Sequence, residues 1–161
     1  SQDVPIVARS KCLSDEYPVS TFYSRLNGVA LGVKIALDYK VSQFTIYVPS
    51  FNLYNFMTSI WNPNGSEISN YLRKTHLRTW LLPEDKCDIE KIYFLTTNII
   101  SDLYQLQRHS GDVFFRVQPV ISIHNKAAEF LCNLGSDQDM KFSDICDNEI
   151  LSEIVYEDVV G

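Results

Sequence analysis

The side chains most able to ligate a soft metal or attack an electrophile are four cysteines, Cys12, Cys87, Cys132 and Cys146, and three histidines, His76, His109 and His124. They stand far apart, with no Cys-x-x-Cys pair among them. Structural zinc draws its ligands from short, clustered spacings, so this pattern predicts no metal site. Each cysteine is read as a small core residue rather than a nucleophile. The chain carries no glycine-rich phosphate loop and no Gly-x-Ser-x-Gly elbow, which leaves no sequence basis for nucleotide cofactors or acyl transfer. His124, beside Asn125 at a strand-to-helix junction, is the best isolated candidate, and its plain reading is a capping or surface histidine. One basic stretch remains, Arg73, Lys74, His76 and Arg78 between Tyr71 and Trp80. Tyr71, Arg73, Lys74, Arg78 and Trp80 would suit phosphate contact with base stacking, set against the simpler reading of a solvated face.

Charge weighs against that nucleic-acid reading. Fourteen Lys+Arg against twenty Asp+Glu leave the 161 residues at −6, with a pI near 5.0, and a negative field repels phosphate. The charge is uneven: residues 1–80 hold eight basic and five acidic side chains, residues 81–161 six and fifteen. A 45% hydrophobic share supports a packed core, and the length suits one ordinary domain. No apolar run reaches the roughly 20 residues that cross a bilayer, and no signal peptide opens the chain. Sparse, unpaired cysteines fit an intracellular protein, nuclear or cytoplasmic. The chain opens on Ser1, as an excised piece of a larger protein would.

The elements alternate. Val4–Ser10 reads as a strand and 11–20 as a loop. Thr21–Tyr39 is a helix with Leu26, Val29, Ala30, Val33 and Leu37 in one stripe. Gly28 and Gly32 weaken that helix, and their four-residue step suits close approach by another element. Val41–Val48 is a strand of alternating character, Phe51–Trp61 a short helix, and Asn62–Gly65 a turn. Residues 66–88 give no clear pattern. Ile89–Gln107 is helical, with Thr96 and Thr97 interrupting Ile92, Leu95, Ile99, Ile100, Leu103 and Leu106. Val113–Ile123 is a strand, and Asn125–Leu134 a helix stopped by Gly135. Residues 135–147 read as a polar linker, and Glu149–Val159 as an acidic amphipathic segment. No internal repeat is visible. Alternation of this kind predicts an α/β layer with parallel strands.

In that setting the run Tyr23–Val48, with its Gly32-to-Ala36 step leading into a strand, resembles the first helix and following strand of plant-type ribonuclease H-like domains. Val113–Gly135, with Asn125, Ala128 and Glu129, is similar to the family's last strand and helix. The resemblance implies a ribonuclease H-like mixed sheet flanked by helices over residues 1–135, lacking the family's first two strands, with an acidic linker and short helix over 136–161. The missing strands predict an open sheet edge, to be blocked or filled by a partner.

The family's reaction needs carboxylates, since two Mg²⁺ ions about 4 Å apart clamp the attacking and leaving oxygens and Mg²⁺ prefers oxygen ligands. The helix ligand falls at or beside Arg25 and the middle-strand ligand at or beside Pro49; no Asp or Glu occurs between Tyr17 and Leu37 or between Tyr39 and Ser66. Only Glu129 sits where the resemblance places an acid. These degenerate positions predict no metal, no cofactor and no nuclease activity. The expectation is a catalytically silent, protein-binding or self-associating module in a larger regulatory protein, as similar domains are in plant ubiquitin ligases of the RING-between-RING type. Ile150, Leu151, Ile154 and Val155, beside Glu149, Glu153, Glu157 and Asp158, would form the docking helix, unless that segment packs on its own domain. The alternative is a nucleic-acid-binding module that has lost cleavage.

Overall fold

Leu26, Val29, Val33 and Ala36 recur at three- and four-residue steps and are buried together along helix α1, Thr21–Asp38. Ser20 starts the helix, its Oγ accepting from the Tyr23 N–H at 3.1 Å. The helix ends without glycine. Lys40 takes a φ of 55°, its N–H donates to the Leu37 carbonyl and the Val41 N–H to the Ala36 carbonyl, which is a Schellman closure.

The computed structural model describes residues 7–10, 13, 20–61, 77, 81–111, 113–120, 125–132 and 137–160. They form a mixed α/β protein in two compact units, one within residues 18–119 and one joining residues 1–17 to 120–161.

The first unit continues from α1 into strand β2, Gln43–Val48, and helix α2, Phe51–Ile60. After Leu77 and Leu81, both buried, a 3-10 turn over Pro83–Asp88 leads into the long helix α3, Ile89–Ser110. Gly111 closes α3 at a φ of 77°, and strand β3, Phe114–Pro119, follows. β2 and β3 pair in parallel, Phe44 beside Phe115 and Ile46 beside Val117. Those inward residues pack with α1, α2 and α3 in one core, in which Phe22 meets Phe56 edge to face at 5.3 Å. At Gly32 a Cβ would stand 2.8 Å from Ile46 Cδ1, so the close approach of α1 to β2 leaves no room for a side chain there unless Ile46 shifts; at Gly28 a Cβ would meet nothing within 4 Å. The four-residue step therefore has one working member.

The second unit holds β1 (Val7–Ser10), α4 (Lys126–Cys132), β4 (Gln138–Lys141), α5 (Phe142–Asp147) and α6 (Glu149–Val160). β1 and β4 pair antiparallel, Ala8 beside Met140, and Ala8, Ile145 and Leu151 form the centre of a small core.

Several sequence expectations change here. Residues 136–147 are not a linker: Met140 is apolar enough to pack beside Ala8 and Ile145, and the stretch becomes β4 and α5. By contacts within the chain, the compact units divide near 17 and 120. β1 pairs with β4, so among the described residues there are two sheets of two strands and no single mixed sheet. The last strand is described over 114–119; residues 121–124 and Gly135 lie outside the described residues. No helix among the described residues is long and apolar enough to cross a membrane.

Candidate functional site

The residues singled out by sequence are divided between the two units and the stretches outside the described residues. Arg25 and Pro49 are exposed in the first unit, while Glu129 is exposed on α4 of the second. Among the described residues no group of three His, Cys, Asp or Glu could hold a metal ion. Tyr71, Arg73, Lys74, Arg78 and Trp80 lie outside the described residues, as does His124. Cys146, read as a core residue, is an exposed free thiol on α5.

The proposed docking helix serves its own unit. Leu151 is 1% exposed in the small core, and Val155 packs against the same cluster. Ile154 is half-buried, and only Ile150 stands out, at 61% exposure. The acid has a task too: Asp158 accepts from the N–H groups of Lys126 and Ala127 at 2.9 and 2.8 Å. Those are orphan donors of the α4 N-terminus, where a carboxylate is favoured by both hydrogen bonding and the helix dipole.

A different site emerges in the first unit, between α2 and β3. Ser50 caps α2, its Oγ accepting from the Leu53 N–H at 3.2 Å, and the helix turns one stripe toward a cleft of about 410 Å³: Tyr54, Met57, Thr58 and, at its end, Trp61. Across from them stand four successive residues of β3, Phe115 to Gln118. Side chains alternate between the faces of a strand, so a cleft touching four in a row lies along a strand edge. β2 occupies one edge of β3, so the cleft runs along the other.

The backbone agrees. The Phe114 N–H donates to the Ser42 carbonyl at 2.8 Å. In a parallel ladder alternate residues turn N–H and C=O to the same neighbour. Phe114, Arg116 and Gln118 therefore face β2, while Phe115 and Val117 turn their backbone groups to the cleft, where no described strand pairs with them. At the end of the helix stripe, Trp61 is 8% exposed and tilted against Tyr104 at 5.5 Å. Its indole Nε1 is buried with no hydrogen-bond partner, which costs about 1–3 kcal/mol. Among the described residues of the lining, Arg116 alone is charged.

The outward face of the same sheet carries no cover from the described residues of this unit. Gln43, Thr45, Tyr47, Phe114 and Arg116 are all exposed, Tyr47 and Phe114 at 56% and 60%. Parallel strands ordinarily carry cover on both faces.

Sequence reasoning missed this site because the strand, its pairing partner and the helix across the cleft are separate runs of chain; only the alternation in Val113–Val117 hinted at it. Comparison with protein-family models, with curated proteins and with solved structures gave no match.

Proposed function

We propose that this chain is a non-catalytic protein-interaction module of a larger regulatory protein, built on a ribonuclease H-like scaffold. The observation that carries the binding role is the parallel pair β2–β3, with its outward face uncovered by the described residues of its unit and Tyr47 and Phe114 standing out of it. Exposed aromatic rings on such a sheet face suit a protein surface. The net charge of −6 favours a protein partner over nucleic acid. Absence of acids around Arg25 and Pro49 supports a silent scaffold. The parallel pairing of the strands after α1 and α3 is in keeping with the ribonuclease H-like reading, and the pairing of β1 with β4 departs from it.

Affinity purification of the full chain, with quantitative mass spectrometry against a Tyr47→Ser, Phe114→Ser double variant, tests the role. Both positions are exposed, so the variant keeps its core. A protein set captured by the wild type and lost with the variant is expected. Equal capture by both, or hydrolysis of an RNA strand by the purified chain with Mg²⁺ or Mn²⁺, would overturn the proposal.

A further inference from the structure

We infer that the cleft between α2 and β3 receives an extended acidic peptide of a partner protein, added to the sheet as a strand beside β3. The inference rests on the reading of the chain as a protein-interaction module and gives that module a site and a ligand class. Its first ground is the backbone: Phe115 and Val117 present N–H and C=O groups to the cleft with no described strand opposite. An added strand satisfies such groups in register, which is how sheet edges recognise peptides. From Phe115 to Gln118 the edge spans roughly 10 Å, the length of three to four extended residues.

The side chains set the sequence the peptide must carry. Phe115 and Val117 point inward with the core, and Met57 and Trp61 line the cleft opposite. Alternate residues of an added strand would meet these groups and must be apolar. The residues between them would lie on the outward face with Arg116, which is exposed and is the one charge among the described residues of the lining. They call for a carboxylate. The described residues within 18–119 do not oppose that sign, holding seven Lys and Arg against six Asp and Glu while the chain as a whole is acidic.

A second observation points to a ligand. Trp61 is more than nine-tenths buried, lines the cleft, and has an unpartnered indole N–H. A peptide carbonyl or carboxylate entering beside the ring supplies the missing acceptor, and tilting of the ring against Tyr104 brings Nε1 to it.

The probe is acetyl-TVEVEVT-amide, titrated to millimolar concentration into the isotope-labelled full chain. Controls are acetyl-TVKVKVT-amide and the acidic peptide with alternate backbone nitrogens methylated. Hydrogen exchange at the Phe115 and Val117 amides should slow by about tenfold or more as ladder bonds form, with a shift of the Trp61 indole N–H resonance. The lysine peptide and an Arg116→Glu chain should bind roughly tenfold more weakly, and the methylated peptide should leave both amides unchanged. Thr58→Trp, at an exposed position on α2, fills the cleft without touching the core and should abolish the effect.

Unchanged exchange at Phe115 and Val117, or equal binding of the three peptides, overturns the inference. If capture through Tyr47 and Phe114 persists in that case, the module reading stands and the site alone falls. If both fail, the module reading falls with it.

Discussion

The backbone N–H of Ser20 donates to the buried carboxylate of Asp88 at 2.8 Å, across 68 positions of sequence. The same spacing separates Lys34 from Asp102, which form an ion pair at 3.1 Å, and Tyr23 from Lys91, whose ammonium lies 5.8 Å from the ring centroid. A constant shift over three contacts means that α1 and α3 run parallel, each leading into one strand of a parallel pair. The first unit is thus two helix–strand segments laid side by side. Asp88 fastens the start of one helix to the start of the other.

That fastening can be weighed against the ion pair. Asp88 is 6% exposed, and replacing it leaves the Ser20 N–H without its acceptor. Asp88→Ala is expected to cost about 1–3 kcal/mol. Asp102→Ala removes a pair whose lysine is half in solvent, and is expected to cost under about 1 kcal/mol. Urea unfolding of both variants checks the order; equal losses would mean that Asp88 does not hold the helix ends together.

The glycines of α1 should respond with opposite signs. Gly28→Ala adds a methyl that meets nothing within 4 Å and gains helix propensity, so stability should rise by about 0.5–1 kcal/mol. Gly32→Ala places its methyl 2.8 Å from Ile46 Cδ1 and 3.3 Å from Cγ1. Ile46 is partly buried and packs on the core, so its side chain must shift to admit the methyl, and a net loss of up to about 1 kcal/mol is expected. Thermal melts of the two variants give the comparison directly.

The ends of α1 and α3 make a second matched pair. Lys40 holds a φ of 55° that costs a side chain about 1–2 kcal/mol, while Gly111 holds 77° at no such cost. Lys40→Gly should therefore stabilise by up to about 1 kcal/mol, and Gly111→Ala destabilise by at least as much. Chemical denaturation of both tests whether backbone conformation alone sets the difference.

How far the fold could be read in advance follows from where its signals are local. α1 and β2 were legible because stripe and alternation each sit within one run. α3 was legible in part: Thr96 and Thr97 look like interruptions, yet their hydroxyls donate to the Ile92 and Tyr93 carbonyls at 2.6 and 2.9 Å, so the helix continues through them. Thr96 is fully buried and takes the stripe position between Ile92 and Ile99, where Leu95 was the obvious choice. β4 was not legible, because Gln138–Lys141 carries no alternation of its own and becomes a strand by pairing with residues 7–10. The parallel shift of α1 against α3 left no repeat in the sequence, since the shared geometry rests on contacts between unlike residues. The cleft at β3 depends on pairing across distant segments, which no single window of sequence contains.

The acidic C-terminal helix gives the sharpest test of such a long-range dependence. α6 contributes Leu151 to the core around Ala8 and Ile145, and Asp158 to the first N–H groups of α4. Leu151→Ala should cost about 2–5 kcal/mol by opening that core. Ile150→Ala, one residue away and 61% exposed, should stay within about 0.5 kcal/mol. Asp158→Ala should cost about 1–2 kcal/mol, with exchange accelerating at the Lys126 and Ala127 amides. Hydrogen exchange by mass spectrometry across residues 120–161 reads all three. Near-equal effects of Leu151→Ala and Ile150→Ala would show α6 to be a free helix available to a partner, and would return Ile150, Leu151, Ile154 and Val155 to the interaction surface.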